Sequence, residues 1–229
     1  MNTQANNRLV RLLQLASPAL PVGGFSYSQG LEAAVHAGLV RDRASALNWI
    51  GDLLEYSSGR IEAPVLLRLI AAWRLDNFAA VKHWNDLFLA SRETAELRAE
   101  TVQMGFSLAR LLPQLDGIDS DALTHMNELG EIAYPAAFAC VVASWKLPPP
   151  AALSAYLWSW AENQVMAALK IVPLGQTDGQ RMLLSLGGRL SAIVERASAL
   201  GDDDIGAFTP GLAIQSSRHE TQYSRLFRS

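Results

Sequence analysis

The sequence predicts an all-α fold, on three observations. Half of its 229 residues are hydrophobic, enough to bury a sizeable core. Apolar residues recur at helical spacing along most of the chain. No segment sustains the period-two alternation of β-branched residues that marks a strand. Together these describe a single-domain bundle of roughly ten helices over residues 1–229, ending in a linker and patterned C-terminal tail at 201–229.

Residues 7–16 place Leu9, Leu12, Leu13 and Ala16 on one face of a short amphipathic helix. Next comes the most irregular stretch, LASPALPVGGFSYSQGLEA at 15–33. Pro18 and Pro21 fix their own φ and hold Ser17 and Leu20 extended. Gly23-Gly24 permits a turn with positive φ. Phe25 and Tyr27 alternate around the serines, so one ring can face inward and the other outward. A helix is expected over 28–38, starting near Gln29 with Ser26 or Ser28 as its cap, Glu32 in its first turns and Gly38 at its end.

Asp42 or Ser45 starts the next helix, with Leu47, Ile50, Leu54 and Tyr56 as its inner stripe, through about Ser57. Residues 61–75 form another, with Pro64 tolerated in its first turn. Asp76-Asn77 breaks the pattern and caps a helix through about Ser91, where Val81, Trp84, Leu87 and Phe88 recur. Residues 92–112 are charged on one face and apolar on the other, and Pro113 stops them. Within them Arg92–Glu96 and Glu96–Glu100 lie at i,i+4, the first pair mildly favourable on an isolated helix and the second mildly repulsive. Residues 114–132 are weakly patterned around DGIDSD. Residues 134–146 are small and apolar on nearly every side, as a fully buried helix requires. Pro148–Pro150 marks a boundary before a helix over 151–171. Gln180–Leu200 continues the pattern with a bend at Gly187-Gly188. The six tryptophans are expected as core anchors.

Composition narrows the function. The net charge is −3 and no stripe of Lys and Arg runs along a face, which argues against nucleic acid. No apolar run is long enough to span a membrane, and the first residues carry no secretory signal pattern. The single Cys140 lies in an apolar run and is expected as a small buried residue in a cytoplasmic protein. There is no G-x-x-x-x-G-K-[ST] phosphate loop, no G-x-S-x-G elbow, and no CxxC or HExxH ligand set. Gly175–Gln180 has glycines but no following lysine, and is expected as a turn and cap. The four histidines are far apart; His219 is the least bland, and a weak metal candidate. No catalytic residues are expected. Two irregular segments, the proline-glycine loop and the tail, point to a protein that works by binding.

Four blocks taken together resemble the urease accessory protein UreF family: LLQLASPALPVGGFSYSQGLE at 12–32, WNDLFLASRETAELRAE at 84–100, AYLWSWAENQVMAALKIVPLGQTDGQ at 155–180 and SSRHETQYSRLFRS at 216–229. The resemblance implies an all-helical, non-enzymatic protein that, with UreD (UreH), recruits the GTPase UreG and assists nickel insertion into apo-urease. It implies a homodimer within that complex, no stably bound cofactor (nickel passes through the assembly), and a tail ordered when UreD binds. Tyr27 and Arg225 match the family's UreG-binding residues, and Pro21, Gly23, Phe25, Leu226 and Phe227 lie beside them in the same two motifs. An exposed Tyr27 meeting Arg225 on one surface is the expected geometry. The alternative is a regulator of GTP hydrolysis by UreG, an activator or checkpoint. Gly24 departs from the alanine common in the motif, and the segment before the motif is shorter than in some members.

Overall fold

The computed structural model describes residues 3–229, and among them every regular element is helical. Helix α1 (Thr3–Ala16) packs on α9 (Pro149–Ile171), the longest helix of the fold. At the centre lies α8 (Tyr134–Ser144), whose run from Tyr134 to Val142 is buried on all sides. It is enclosed by α4 (Ala63–Arg74), α5 (Phe78–Ala90) and α6 (Ala95–Leu111). Small residues let these helices approach closely. A Cβ added at Gly105 of α6 would stand 2.0 Å from the Ile132 carbonyl oxygen. Gly105→Ala is therefore expected to lower stability by about 2 kcal/mol or more, read as a fall in the denaturation midpoint, because the obstacle is backbone rather than a movable side chain. Cys140 is buried as expected, and burial pushes its thiol up to about 12. Trp73, Trp84 and Trp145 are buried, while Trp49, Trp158 and Trp160 are half-buried.

Several starts and stops fall where capping chemistry puts them. Asp42 and Ser45 exchange side-chain and main-chain bonds in a capping box ahead of α3 (Arg43–Asp52). Asn77 caps α5 through the Ala80 amide at 3.1 Å. The weakly patterned stretch holds α7 (Ser120–Glu128), capped by Asp119. The expected bend at Gly187-Gly188 is a full break between α10 (Gln176–Gly187) and α11 (Leu190–Ala199).

The expected gap near Ser57 is not a gap. Residues 53–62 form a π-helix that joins α3 to α4 without interruption. Its wider turn lets Ala63 donate to Ser58, five residues back. Gly59 makes room for this winding against α11, since a Cβ there would meet Ile193 Cγ2 at 2.9 Å. Pro64 brings no N–H, and the Arg60 carbonyl accepts the amide of Gly206 at 3.2 Å, which ties the segment after α11 to the bundle.

The helix expected from Gln29 begins later. Gln29 and Gly30 both adopt left-handed backbone (φ 51° and 74°), so α2 runs only from Leu31 to His36. Ser28 still serves it: its Oγ accepts the Glu32 amide at 3.3 Å. The 201–229 segment holds one more helix, α12 (Pro210–Glu220), which packs on α2. At Gly30 a Cβ would stand 3.1 Å from the Ser216 amide nitrogen, so glycine serves both the turn and the approach.

Candidate functional site

The tail folds back onto the proline-glycine loop. The Ser28 amide donates to the main-chain oxygen of Ser229 at 2.9 Å, and the Ser28 hydroxyl donates to the same oxygen at 2.5 Å. The Arg228 amide donates to the Ser26 carbonyl at 2.8 Å. Two segments some 200 residues apart in the chain thus share main-chain hydrogen bonds.

Three glutamates hold this arrangement, Glu32 and Glu96 half-buried and Glu100 buried. Glu32, in the first turn of α2, accepts the amides of Leu226 and Phe227 at 2.8 and 2.9 Å. Glu96, in the first turn of α6, accepts Arg225 Nη1 at 2.6 Å. His219 sits between them, fully buried, with Nδ1 2.6 Å from Glu96 and Nε2 3.2 Å from Glu32. Both ring nitrogens are thus taken up by carboxylate contacts. Among the described residues no group of three or more His, Cys, Asp or Glu could hold one. The third carboxylate, Glu100, accepts Gln29 Nε2 at 2.7 Å and Ser229 Oγ at 2.8 Å.

The i,i+4 pair on α6 is thereby explained. Glu96 and Glu100 would repel on an isolated helix, yet each takes its own anchor from the loop and the tail. That spacing was a trace of their role in the sequence. Arg92, spaced to pair with Glu96, instead faces Glu62, and Glu62 and Gln164 left no trace.

The candidate binding residues divide by exposure. Phe25 is 63% exposed and Leu226 62%, while Tyr223 stands fully in solvent. Pro21 is exposed, and Gly23 makes the left-handed turn at φ 79°. Phe227 is buried, with Lys170 over its ring at 5.4 Å. Tyr27 is not the expected exposed anchor: the residue is only 6% exposed. Of the two alternating aromatics, it is the one that turns inward. Burial raises its hydroxyl, the Glu100 charge adds to this, and Arg228, hydrogen-bonded to it, opposes both. Arg225 is half-exposed, pinned by Glu96 rather than facing Tyr27.

Beneath the loop lies a partly open chamber of about 50 Å³, whose polar lining includes Gln29, Glu62, Arg92, Glu100, Tyr156 and Gln164. Glu62, at the end of the π-helix, accepts Tyr156 Oη at 2.9 Å and faces Arg92 at 3.4 Å. Gln164 Oε1 and Arg92 Nε are buried there without protein partners. Gly24 borders the chamber, and a Cβ there would meet Asn163 Nδ2 at 2.8 Å, so an alanine would need that amide to move. Burial pushes the Glu100 carboxyl up to about 7; Gln29 and Ser229 pull it down, Glu62 raises it and Arg92 lowers it.

Comparison with known proteins adds a second line. The sequence profile of a family described as UreF matches residues 40–187. The chain is 58% identical over 223 residues to the urease accessory protein UreF of Azoarcus sp. (strain BH72), covering 96% of this chain and 95% of that protein. It is 53% identical over 223 residues to the urease accessory protein UreF of Dechloromonas aromatica (strain RCB), covering 97% and 98%. It is 51% identical over 225 residues to a bifunctional urease accessory protein UreEF of Bordetella bronchiseptica, covering 97% of this chain and 52% of that protein.

Proposed function

Because the chain belongs to the UreF family of urease accessory proteins, and so serves urease maturation, we propose that it does so as a scaffold rather than as an enzyme. In this reading it joins UreD (UreH) as a homodimer in the cytoplasm, recruits the GTPase UreG, and assists nickel insertion into apo-urease. Nickel is the cargo of that assembly and not a resident cofactor of this chain.

The observation that carries the reading is the union of loop and tail. In it Phe25, Arg225 and Leu226 are exposed on two segments joined by main-chain hydrogen bonds, while Tyr27 and Phe227 are buried, which supports reading them as one face. Aromatic and arginine anchors set among ordered neighbours are what partner hot spots are made of. Pro21 and Gly23 shape the loop that presents Phe25, and Tyr27 supports the face from below. The expected ordering of the tail by UreD belongs to the same reading: UreD would stabilise the docked arrangement.

The test is co-purification of the tagged chain with UreD and UreG. Arg225→Ala is expected to keep UreD and weaken UreG capture by about tenfold or more. Equal capture by wild type and variant would remove Arg225 from the interface. Direct activation of GTP hydrolysis is disfavoured by the Arg225–Glu96 pair at 2.6 Å, which an arginine finger would first have to leave.

A further inference from the structure

Three described residues other than glycine hold a positive φ, and two of them are explained by the helices they end. Asp76 follows α4 and Lys146 follows α8. Behind each, the next amide reaches back five residues, Asn77 to the Ala72 carbonyl and Leu147 to the Val142 carbonyl, both at 3.0 Å. That is the left-handed close of a helix. Gln29 (φ 51°) ends no helix. It and Gly30 (φ 74°) are the central residues of a turn over Ser28–Leu31, closed by the Leu31 amide on the Ser28 carbonyl at 3.1 Å. A turn with positive φ at both central positions favours Gly, Asn or Asp, and glutamine stands there against its preference.

A residue in so sparsely populated a conformation persists where its neighbours fix it from several sides. Trp160 Nε1 of α9 can only donate, and it donates to Gln29 Oε1 at 2.8 Å. The amide is thereby oriented, and its Nε2 donates to Glu100 Oε1 of α6 at 2.7 Å. The turn has a tail anchor on either side. Before it, the Ser28 amide and hydroxyl hold the main-chain oxygen of Ser229. After it, the Glu32 carboxylate holds the Leu226 and Phe227 amides. Glu100 itself takes Ser229 Oγ on its other oxygen, at 2.8 Å.

We propose that Gln29 is a positioning residue: clasped between Trp160 and Glu100, it holds the Ser28–Leu31 turn so that Ser28, Glu32 and Glu100 receive the tail together. Trp160 acts at one remove, by orienting the Gln29 amide. This deepens the scaffold reading and rests on it only for its consequence, the presentation of Arg225 and Leu226 to a partner.

Two demands on position 29 pull apart, and substitutions separate them. The backbone prefers asparagine, while the clasp needs the full reach of glutamine. Gln29→Asn eases the turn but is one methylene too short to keep both contacts. Gln29→Met keeps the length and gives up both hydrogen bonds. Trp160→Phe keeps an aromatic ring on α9 and removes only the donor. A role confined to the turn makes Gln29→Asn neutral or beneficial; a clasp makes it a loss.

Hydrogen exchange on the full chain, with no partner present, reads the result at the Leu226, Phe227 and Arg228 amides, with the amides of α8 as reference. Gln29→Asn and Gln29→Met are each expected to lower tail protection about tenfold, the usual effect of losing one or two hydrogen bonds, and to leave α8 unchanged. Trp160→Phe is expected to lower it about threefold, and to add nothing in the Gln29→Met background, since both changes open one clasp. Tail protection kept or raised in Gln29→Asn overturns the proposal, because position 29 then serves the turn alone. An equal loss at α8 overturns it too, as do additive losses from Gln29→Met and Trp160→Phe. UreG capture by the same variants bears on the scaffold reading and is scored separately from the exchange.

Discussion

Glu32→Ala is expected to undock the tail, lowering protection of the Leu226 and Phe227 amides by about a hundredfold, since each hydrogen bond to a charged acceptor contributes roughly 1.5–3 kcal/mol. One carboxylate serves three partners here: it accepts from two main-chain amides and meets His219 Nε2 at 3.2 Å. Its removal leaves the tail the hydrogen bonds to Glu96, Ser26, Ser28 and Glu100. Glu32→Gln, which keeps an acceptor oxygen but loses the charge, is expected to fall between wild type and alanine. The bundle should remain folded in both, because Glu32 lies at the rim and α2 keeps its buried Leu31, Ala33 and Ala34. Helical circular dichroism then checks the fold while exchange checks the tail. Unchanged protection in Glu32→Ala would mean that the serine and arginine contacts alone hold the tail.

The second large effect lies beneath the loop. Arg92→Ala is expected to destabilise the protein by about 3 kcal/mol, because removing one partner of a buried pair leaves the other charge uncompensated. Glu62 has little else: its side chain is 8% exposed and its remaining protein partner is the Tyr156 hydroxyl. The guanidinium also lies 4.2 Å from the Phe88 ring centroid, so packing is lost with the charge. For a chain of this size the expected drop in melting temperature is roughly 10 °C. Adding Glu62→Gln to Arg92→Ala should recover part of it. The amide no longer carries the charge yet still accepts from Tyr156. A double variant no more stable than the single one would mean that packing, not charge, dominates.

Much of the fold was legible because its cues are local. Asp42 with Ser45 and Asn77 with Ala80 are capping interactions within three residues, and the α8 run from Tyr134 is apolar on every side. The π-helix was not legible. Its bonding five residues back leaves the apolar stripe of residues 47–54 unchanged, and Ser57-Ser58-Gly59 reads as a break when it is in fact buried helix.

The candidate site divides the same way. Alternation around the serines predicts one aromatic in and one out, and Phe25 and Tyr27 follow it. Which ring turns inward is not set by alternation alone, and the loop that holds them is hydrogen-bonded to a tail some 200 positions away. Glu32, Glu96 and Glu100 look like ordinary polar residues of amphipathic helices. Their work appears only when Leu226, His219 and Ser229 arrive beside them. The family resemblance pointed to Tyr27 and Arg225. The structure gives Tyr27 a buried position and Arg225 a rim position, so the two have different physical jobs on the proposed face.

The central claim is that loop and tail act as one partner-binding face. The measurement that tests it most directly is the affinity of the preformed complex with UreD for UreG, as a double-mutant cycle on Phe25→Ala and Leu226→Ala. Both side chains are exposed, so neither change should disturb the fold. The account predicts that each variant weakens UreG binding by about tenfold and that the pair is non-additive, since residues on one contact surface couple. Wild-type capture of UreG with no loss in either variant would contradict it.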